Sequence, residues 1–327
     1  MMKIVVSKDH SAESTTMAAA YAEEVFRLMQ QNPMVMELEA DLAHSLLGGD
    51  MIARMEQEHP HQYLNCGIQE ANMMSVAAGL SILGRIPFIH TFAAFASRRM
   101  ADQAFISGCY AHANVRIVGS DPGVAAQFNG GTHMPFEDIS IYRAYPGMTL
   151  VDISDSTQLR SVIPQTAEKS GMYYIRLFRK NAVKIYEEGS QFEIGKAAQL
   201  RDGKDVTILA AGAVMVPEAL KAAELLQAEG IEARVLDCFT IKPLDEEAVV
   251  QAAQETGALV TAENHNIING LGSAVADVLS TQYPAPLEKI GIYDRFGEVG
   301  PLSYLKETFG LTAEKIAVAA KRAMDRK

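Results

Sequence analysis

Short runs dense in aliphatic residues recur along the chain, separated by stretches in which apolar residues return every three or four positions. The runs at 34–38, 62–66, 87–91, 115–119, 149–153 and 173–178 read as β-strands, and the stretches between them as amphipathic or alanine-rich helices. Strands that alternate with helices in this way predict a mostly parallel sheet covered on both faces. After Phe178 the periodicity lapses into Arg-Lys-Asn-Ala-Val-Lys-Ile-Tyr-Glu-Glu-Gly-Ser, where a domain boundary is expected. A second series follows: a strand at 205–210, a turn at Gly212, a helix at 216–229, and strands at 233–236, 258–262 and 287–290. The predicted architecture is two consecutive doubly wound α/β domains, at residues 1–182 and 201–327, joined by a linker at 183–200. The second domain is the smaller, and no internal repeat interrupts the pattern.

Composition fits that division. The 327 residues, 48% hydrophobic and 21% charged, are enough for two domains that each bury a core. A formal charge of −11 opposes nucleic acid and anionic membrane, and the local Arg98-Arg99 pair does not reverse it. The first residues, Met-Met-Lys-Ile-Val-Val-Ser, lack the apolar core of a secretion signal, and no run is long enough to span a bilayer, so a cytoplasmic location is expected. Cys66, Cys109 and Cys238 are widely spaced, which predicts buried thiols rather than disulfides or a zinc site.

Candidate chemistry lies where predicted strands end. In Asn65-Cys66-Gly67-Ile68-Gln69-Glu70 a strand stops, a glycine permits a tight turn, and a helix opens with a carboxylate in its first turn. Taken alone, Glu70 is a partner for the helix dipole; at the carboxyl end of a parallel strand it also faces the crevice where such sheets bind ligands. Phe92 and Phe95, three apart after the next strand, fit either a core pair or a slot for a flat aromatic ring. His133 stands in the glycine-rich turn Gly130-Gly131-Thr132-His133, where a loop side chain can meet a ligand or merely solvent.

Together with Ile241-Lys-Pro-Leu-Asp and Glu263-Asn-His-Asn-Ile-Ile-Asn-Gly-Leu-Gly-Ser in the second domain, these motifs resemble transketolases over nearly the whole chain. The match is to the pyrimidine-binding and C-terminal domains, the C-terminal half of a split enzyme of that family. The resemblance implies a thiamine diphosphate-dependent transfer of a two-carbon ketol unit from a ketose to an aldose. It implies that Glu70 hydrogen-bonds N1′ of the cofactor's aminopyrimidine, promoting loss of the thiazolium C2 proton. Phe92 and Phe95 would stack on the pyrimidine beside Ile68 of the Gly67-Ile68-x-Glu70 motif. Asp41 and Leu42, in Glu39-Ala40-Asp41-Leu42, resemble the loop that approaches and props the cofactor. His133, Ser45 and Ser120 would lie on the substrate side.

Two departures matter. Transketolases hold the diphosphate through Mg2+ with Gly-Asp-Gly, which does not occur here; the nearest strings are Gly48-Gly49-Asp50 and Asp202-Gly203. The resemblance therefore implies no metal ligand in this chain, a separately encoded partner carrying the diphosphate and Mg2+, and an α2β2 assembly. The basic side chains that anchor a sugar phosphate fall, by position, on Thr16, Ser120 and Asp152, while Ser45 is retained. An unusual ketose or acceptor is expected, either without phosphate or with another anion farther out. Gly270-Leu-Gly272-Ser273 falls short of a dinucleotide turn, and His265 and Arg295 read as packing or subunit contacts. The competing enzyme readings are the β subunit of a 2-oxo acid dehydrogenase and a relative of deoxyxylulose phosphate synthase. From another class, a non-catalytic interaction subunit would keep the fold without the reaction.

Overall fold

The computed structural model describes residues 3–327. The first series of strands is β1 (Val35–Glu39), β2 (Tyr63–Asn65), β3 (Ile86–Phe92), β4 (Val115–Ser120), β5 (Met148–Asp152) and β6 (Met172–Leu177). The second is β7 (Ala198–Arg201), β8 (Val206–Ala210), β9 (Ala233–Asp237), β10 (Thr240–Lys242), β11 (Leu259–Asn266) and β12 (Leu287–Ile292). They form a seven-stranded sheet in the order β10-β5-β6-β4-β3-β1-β2 and a five-stranded sheet in the order β12-β11-β8-β9-β7. Pairing is parallel except for β10 on β5 and β7 on β9. The two-domain α/β architecture expected from the pattern is thus the observed one.

Both faces of each sheet are covered because successive side chains point opposite ways and both sets are apolar. In β6, Tyr173, Ile175 and Leu177 enter one core cluster while Met172 and Tyr174 enter another. In β8, Val206, Ile208 and Ala210 join the first of these and Leu209 the second. Each cluster draws on both domains, so the two sheets share their cores.

Helix starts follow from capping residues. The Thr16 hydroxyl accepts from the Ala19 N–H at 3.1 Å and opens the helix Met17–Gln31; Asp155 does the same for Ser156–Glu168, and Asp245 for Glu246–Thr256. The helix expected at 216–229 begins earlier, at Gly212, and runs to Ala228. Gly212 has φ +77°, and a Cβ there would fall on the Asp152 carboxylate, so a side chain is excluded by both backbone and contact.

Two strands escaped the periodicity. β7 and β10 are short antiparallel edge pieces, and β10 belongs by sequence to the second domain yet pairs with β5 of the first. Within 183–191 the chain bridges back to the N-terminal segment, Val183 to Ala12, Tyr186 to Val6 and Gln191 to Lys3. Cys109 and Cys238 are buried free thiols, whereas Cys66 is half-buried. Among the described residues no helix is long and apolar enough to cross a membrane.

Candidate active site

Three loops at the carboxyl ends of β1, β2 and β3 are tied to one another. Asn65, ending β2, accepts from the Gly67 N–H at 2.7 Å and donates to Asp41 Oδ1 at 3.2 Å, joining the loop after β1 to the turn after β2. Gly67 has φ +73°, as the tight turn requires, and Asp41 itself holds a left-handed φ of 61°. Glu39 is buried, and its Oε2 accepts from the Leu42 and Ala43 N–H groups at 2.5 and 2.8 Å, fixing the entry to the short helix Ala43–Leu46. Ser45 turns its hydroxyl back on the Leu42 carbonyl at 2.7 Å. Ile68 is 69% exposed at the lip of the turn.

Glu70 is the first residue of the helix Glu70–Ile82 and is only 3% exposed. Its hydrogen-bond partner among the described residues is Arg99, whose Nη1 donates to Oε1 at 2.7 Å. The strand–glycine–helix reading of this segment is what the structure shows.

Across from it, Phe92 ends β3 and Phe95 lies in the helix Ala93–Arg98, with ring centroids 5.9 Å apart and planes tilted by 39°. His133 meets both rings edge-on, at 5.1 Å from Phe95 and 6.1 Å from Phe92. All three are half-buried rather than sealed in the core. The histidine loop is held from two sides. Arg98 donates to the Thr132 and Met134 carbonyls at 2.9 and 3.3 Å, and Gly131 packs so closely on Gly297 that a Cβ would stand 2.6 Å from its carbonyl oxygen.

The expected substrate positions divide. Ser45 is half-buried, but Ser120 is fully buried, its hydroxyl 3.0 Å from His90 Nε2. Burial, with the positive charge of Arg179 second, pushes His90 down to about 3, so that ring is neutral. Thr16 is a helix cap. Asp152, where another phosphate anchor would fall by position, is buried with its carboxylate ion-paired to Arg176.

A basic group that the sequence pattern did not single out does stand here. The Arg179 guanidinium lies 4.8 Å from the centre of the Phe92 ring, pairs with Asp121 at 2.5 Å, and donates to the Ser45 carbonyl at 3.3 Å. Its only sequence signal is a position just past the end of β6, at the carboxyl end of the sheet where ligands gather.

The second-domain motifs build the junction between the sheets. Arg176 donates to Asp138 at 2.8 Å and to the Asn264 carbonyl at 2.9 Å, besides its pair with Asp152. Asn264 in turn binds the Val124 N–H and the Pro122 carbonyl, each at 2.9 Å. Glu263 accepts from the Leu271 and Gly272 N–H groups at 2.7 and 2.8 Å, so the Glu263-to-Ser273 motif is a carboxylate capping its own helix. His265 is buried at this junction, 3.8 Å from Asp138, whereas Arg295 is exposed and pairs with Glu298. Among the described residues no group of three or more His, Cys, Asp or Glu side chains could hold a metal ion.

Residues 13–184 match the transketolase pyrimidine-binding domain and residues 195–316 the transketolase C-terminal domain. The chain is 50% identical over 307 residues to the 6-deoxy-6-sulfo-D-fructose transketolase subunit SqwH of Clostridium sp. (strain MSTE9), covering 94% of each protein. It is 34% identical to an apulose-4-phosphate transketolase subunit of Phocaeicola vulgatus, over 92% of this chain and 95% of that one. A solved structure described as a split gene transketolase, inactive beta4 tetramer, superposes with a TM-score of 0.87 at 41% identity, over 96% of this chain and 100% of the other. The chain belongs to the transketolase family and carries its pyrimidine-binding and C-terminal domains.

Proposed function

We propose that this chain is the cofactor-activating subunit of a thiamine diphosphate-dependent transketolase, working beside a second subunit that holds the diphosphate and its Mg2+. The observation that carries this reading is that a buried carboxylate, Glu70, is bridged by the single side chain of Arg99 to the half-exposed ring of Phe95, which neighbours Phe92. A carboxylate without backbone partners among the described residues, beside an aromatic face, suits a flat, protonatable heteroaromatic ring. When bound, thiamine diphosphate supplies the carbanion chemistry of ketol transfer.

The protein's part would be to place the ring and the substrate. Glu70 would hydrogen-bond the ring nitrogen N1′. Phe92 and Phe95 would offer faces to the ring, and Asp41, Leu42 and Ile68 would line its edge. His133 and Ser45 would stand on the substrate side, with Ser120 behind them beside His90. Arg179 offers a guanidinium to an anion at the substrate's far end. We divide the chain at 1–182 and 201–327, with 183–200 between them, place the metal ligands on the partner, and take the assembly as α2β2 in the cytoplasm.

The relatives' names support an uncommon sugar, one a sulfofructose and one apulose 4-phosphate. We place this chain with a ketose whose terminal anion differs from that of the usual sugar phosphates, sulfonate first. The description of the superposed relative as an inactive β4 tetramer supports dependence on a partner.

Titration calorimetry of thiamine diphosphate with Mg2+ into the chain, alone and with the candidate partner, tests the core of the reading. Binding in the mixture and ketol transfer lost in Glu70→Ala are expected; no binding in either preparation returns the chain to the interaction-subunit reading. Donor competition tests the substrate. A sulfonated ketose should outpace xylulose 5-phosphate, and a strong preference for xylulose 5-phosphate would remove the uncommon-sugar assignment.

A further inference from the structure

The two groups assigned to the cofactor's ring are already engaged by a side chain of the protein itself. Arg99 donates from Nη1 to Glu70 Oε1 at 2.7 Å, and its Cζ lies 3.8 Å from the centre of the Phe95 ring, over its face. A guanidinium is a flat, delocalised group with donors at its edge, and it both stacks on aromatic rings and hydrogen-bonds carboxylates. An aminopyrimidine shares those properties. Arg99 therefore meets the cleft through the same pair of contacts that the ring requires.

We infer that Arg99 is a place-holder for the aminopyrimidine, occupying Glu70 and the face of Phe95 until the cofactor's ring displaces it. This rests on the function proposed above.

The cleft gives the place-holder a reason to exist. Glu70 is 3% exposed, and it makes no bond to backbone N–H groups among the described residues, so without Arg99 its charge would stand buried and unpaired. Arg99 lies at the boundary of the cleft, its side chain 47% exposed, which lets it swing into water without disturbing the core. Its neighbour Arg98 is not equivalent. That side chain is committed to Glu137 at 2.5 Å and to the loop carbonyls beside His133. One arginine of the pair thus holds the histidine loop, and the other holds the ring's place.

The consequence is competition. A ring that must expel Arg99 binds with an apparent affinity reduced by the fraction of molecules in which the cleft is open. If that fraction is about one in ten, removing the side chain tightens apparent binding about tenfold. The same removal leaves Glu70 unpaired in the cofactor-free protein, so the empty state loses stability while the loaded state does not.

The test uses the two-subunit complex and two readouts. Thiamine diphosphate with Mg2+ is titrated calorimetrically into wild type, Arg99→Ala and Arg99→Lys, and each preparation is melted with and without the cofactor. Arg99→Ala should bind about three- to thirtyfold more tightly, with a lower melting temperature when empty and a larger upward shift on loading. Arg99→Lys, which keeps the charge but not the flat face, should fall between. Unchanged or weaker binding by Arg99→Ala overturns the place-holder while leaving the function standing. If wild type and Arg99→Ala both fail to bind the cofactor, the function and the place-holder fall together.

Discussion

Glu70, which opens the helix after β2, and Glu263, inside β11 ahead of the helix Leu271–Thr281, are both buried carboxylates, and they do opposite things. Glu263 spends both oxygens on the first N–H groups of the helix Leu271–Thr281, inside a junction where Arg176, Asp138 and Asn264 are likewise satisfied. Glu70 has a single side-chain partner that is half in water, and its aromatic neighbours show part of their faces. Burial and residue type do not separate the two. What separates them is unspent bonding capacity: a carboxylate used up by backbone is structural, and one held by a displaceable group is open to a ligand.

The largest test of that contrast is Glu70→Ala. In the assembled enzyme it should lower kcat by about 10²- to 10⁴-fold, the range for losing a positioned acid–base group, with little change in the melting temperature of the loaded fold. Glu263→Ala should behave in reverse. It strips two N–H groups of their partner inside the junction, so chemical denaturation should show a loss of about 2–4 kcal/mol while the folded enzyme keeps its turnover. If Glu263→Ala instead abolished turnover at unchanged stability, the division between the two carboxylates would be wrong.

Smaller effects sharpen the same picture. Phe95→Ala should weaken cofactor binding by about 0.5–1.5 kcal/mol, a few-fold to about tenfold in calorimetric Kd. Arg179→Ala should raise KM for an anionic donor by about tenfold or more, and leave KM for an uncharged ketose nearly unmoved.

A separate effect is in pH. Asp237, buried under Tyr186, Gln158 and Ser154, has its carboxyl pushed by burial from 3.8 up to about 7. The native state therefore binds the extra proton. That contribution is complete below about pH 4 and fades as the pH rises through about 7. Urea midpoints should fall more steeply over that window for wild type than for Asp237→Asn, and parallel curves would show that Asp237 is not the source.

Much of this was legible from residue order. The parallel strands announce themselves because strands buried on both faces are nearly continuous runs of Val, Ile and Leu. Glu70 was readable because strand end, Gly67 and helix start fall within a few residues. β7 and β10 were not, since strands of three or four residues with mixed burial carry no period. Arg99 and Arg179 were hidden for another reason. A basic side chain near a loop looks like ordinary surface until the fold shows which ring it lies on. The role of Asp152 was hidden because its partner, Arg176, comes from the neighbouring strand.

β10 has one more consequence. Because a strand from the second domain completes the edge of the first sheet, cutting the chain between its halves would uncover the backbone N–H and C=O groups of β5. The excised first half would carry an open, sticky edge and tend to aggregate. The two domains are thus expected to fold as one unit, and a protease cut or a gene fusion that keeps only one of them should leave that edge open.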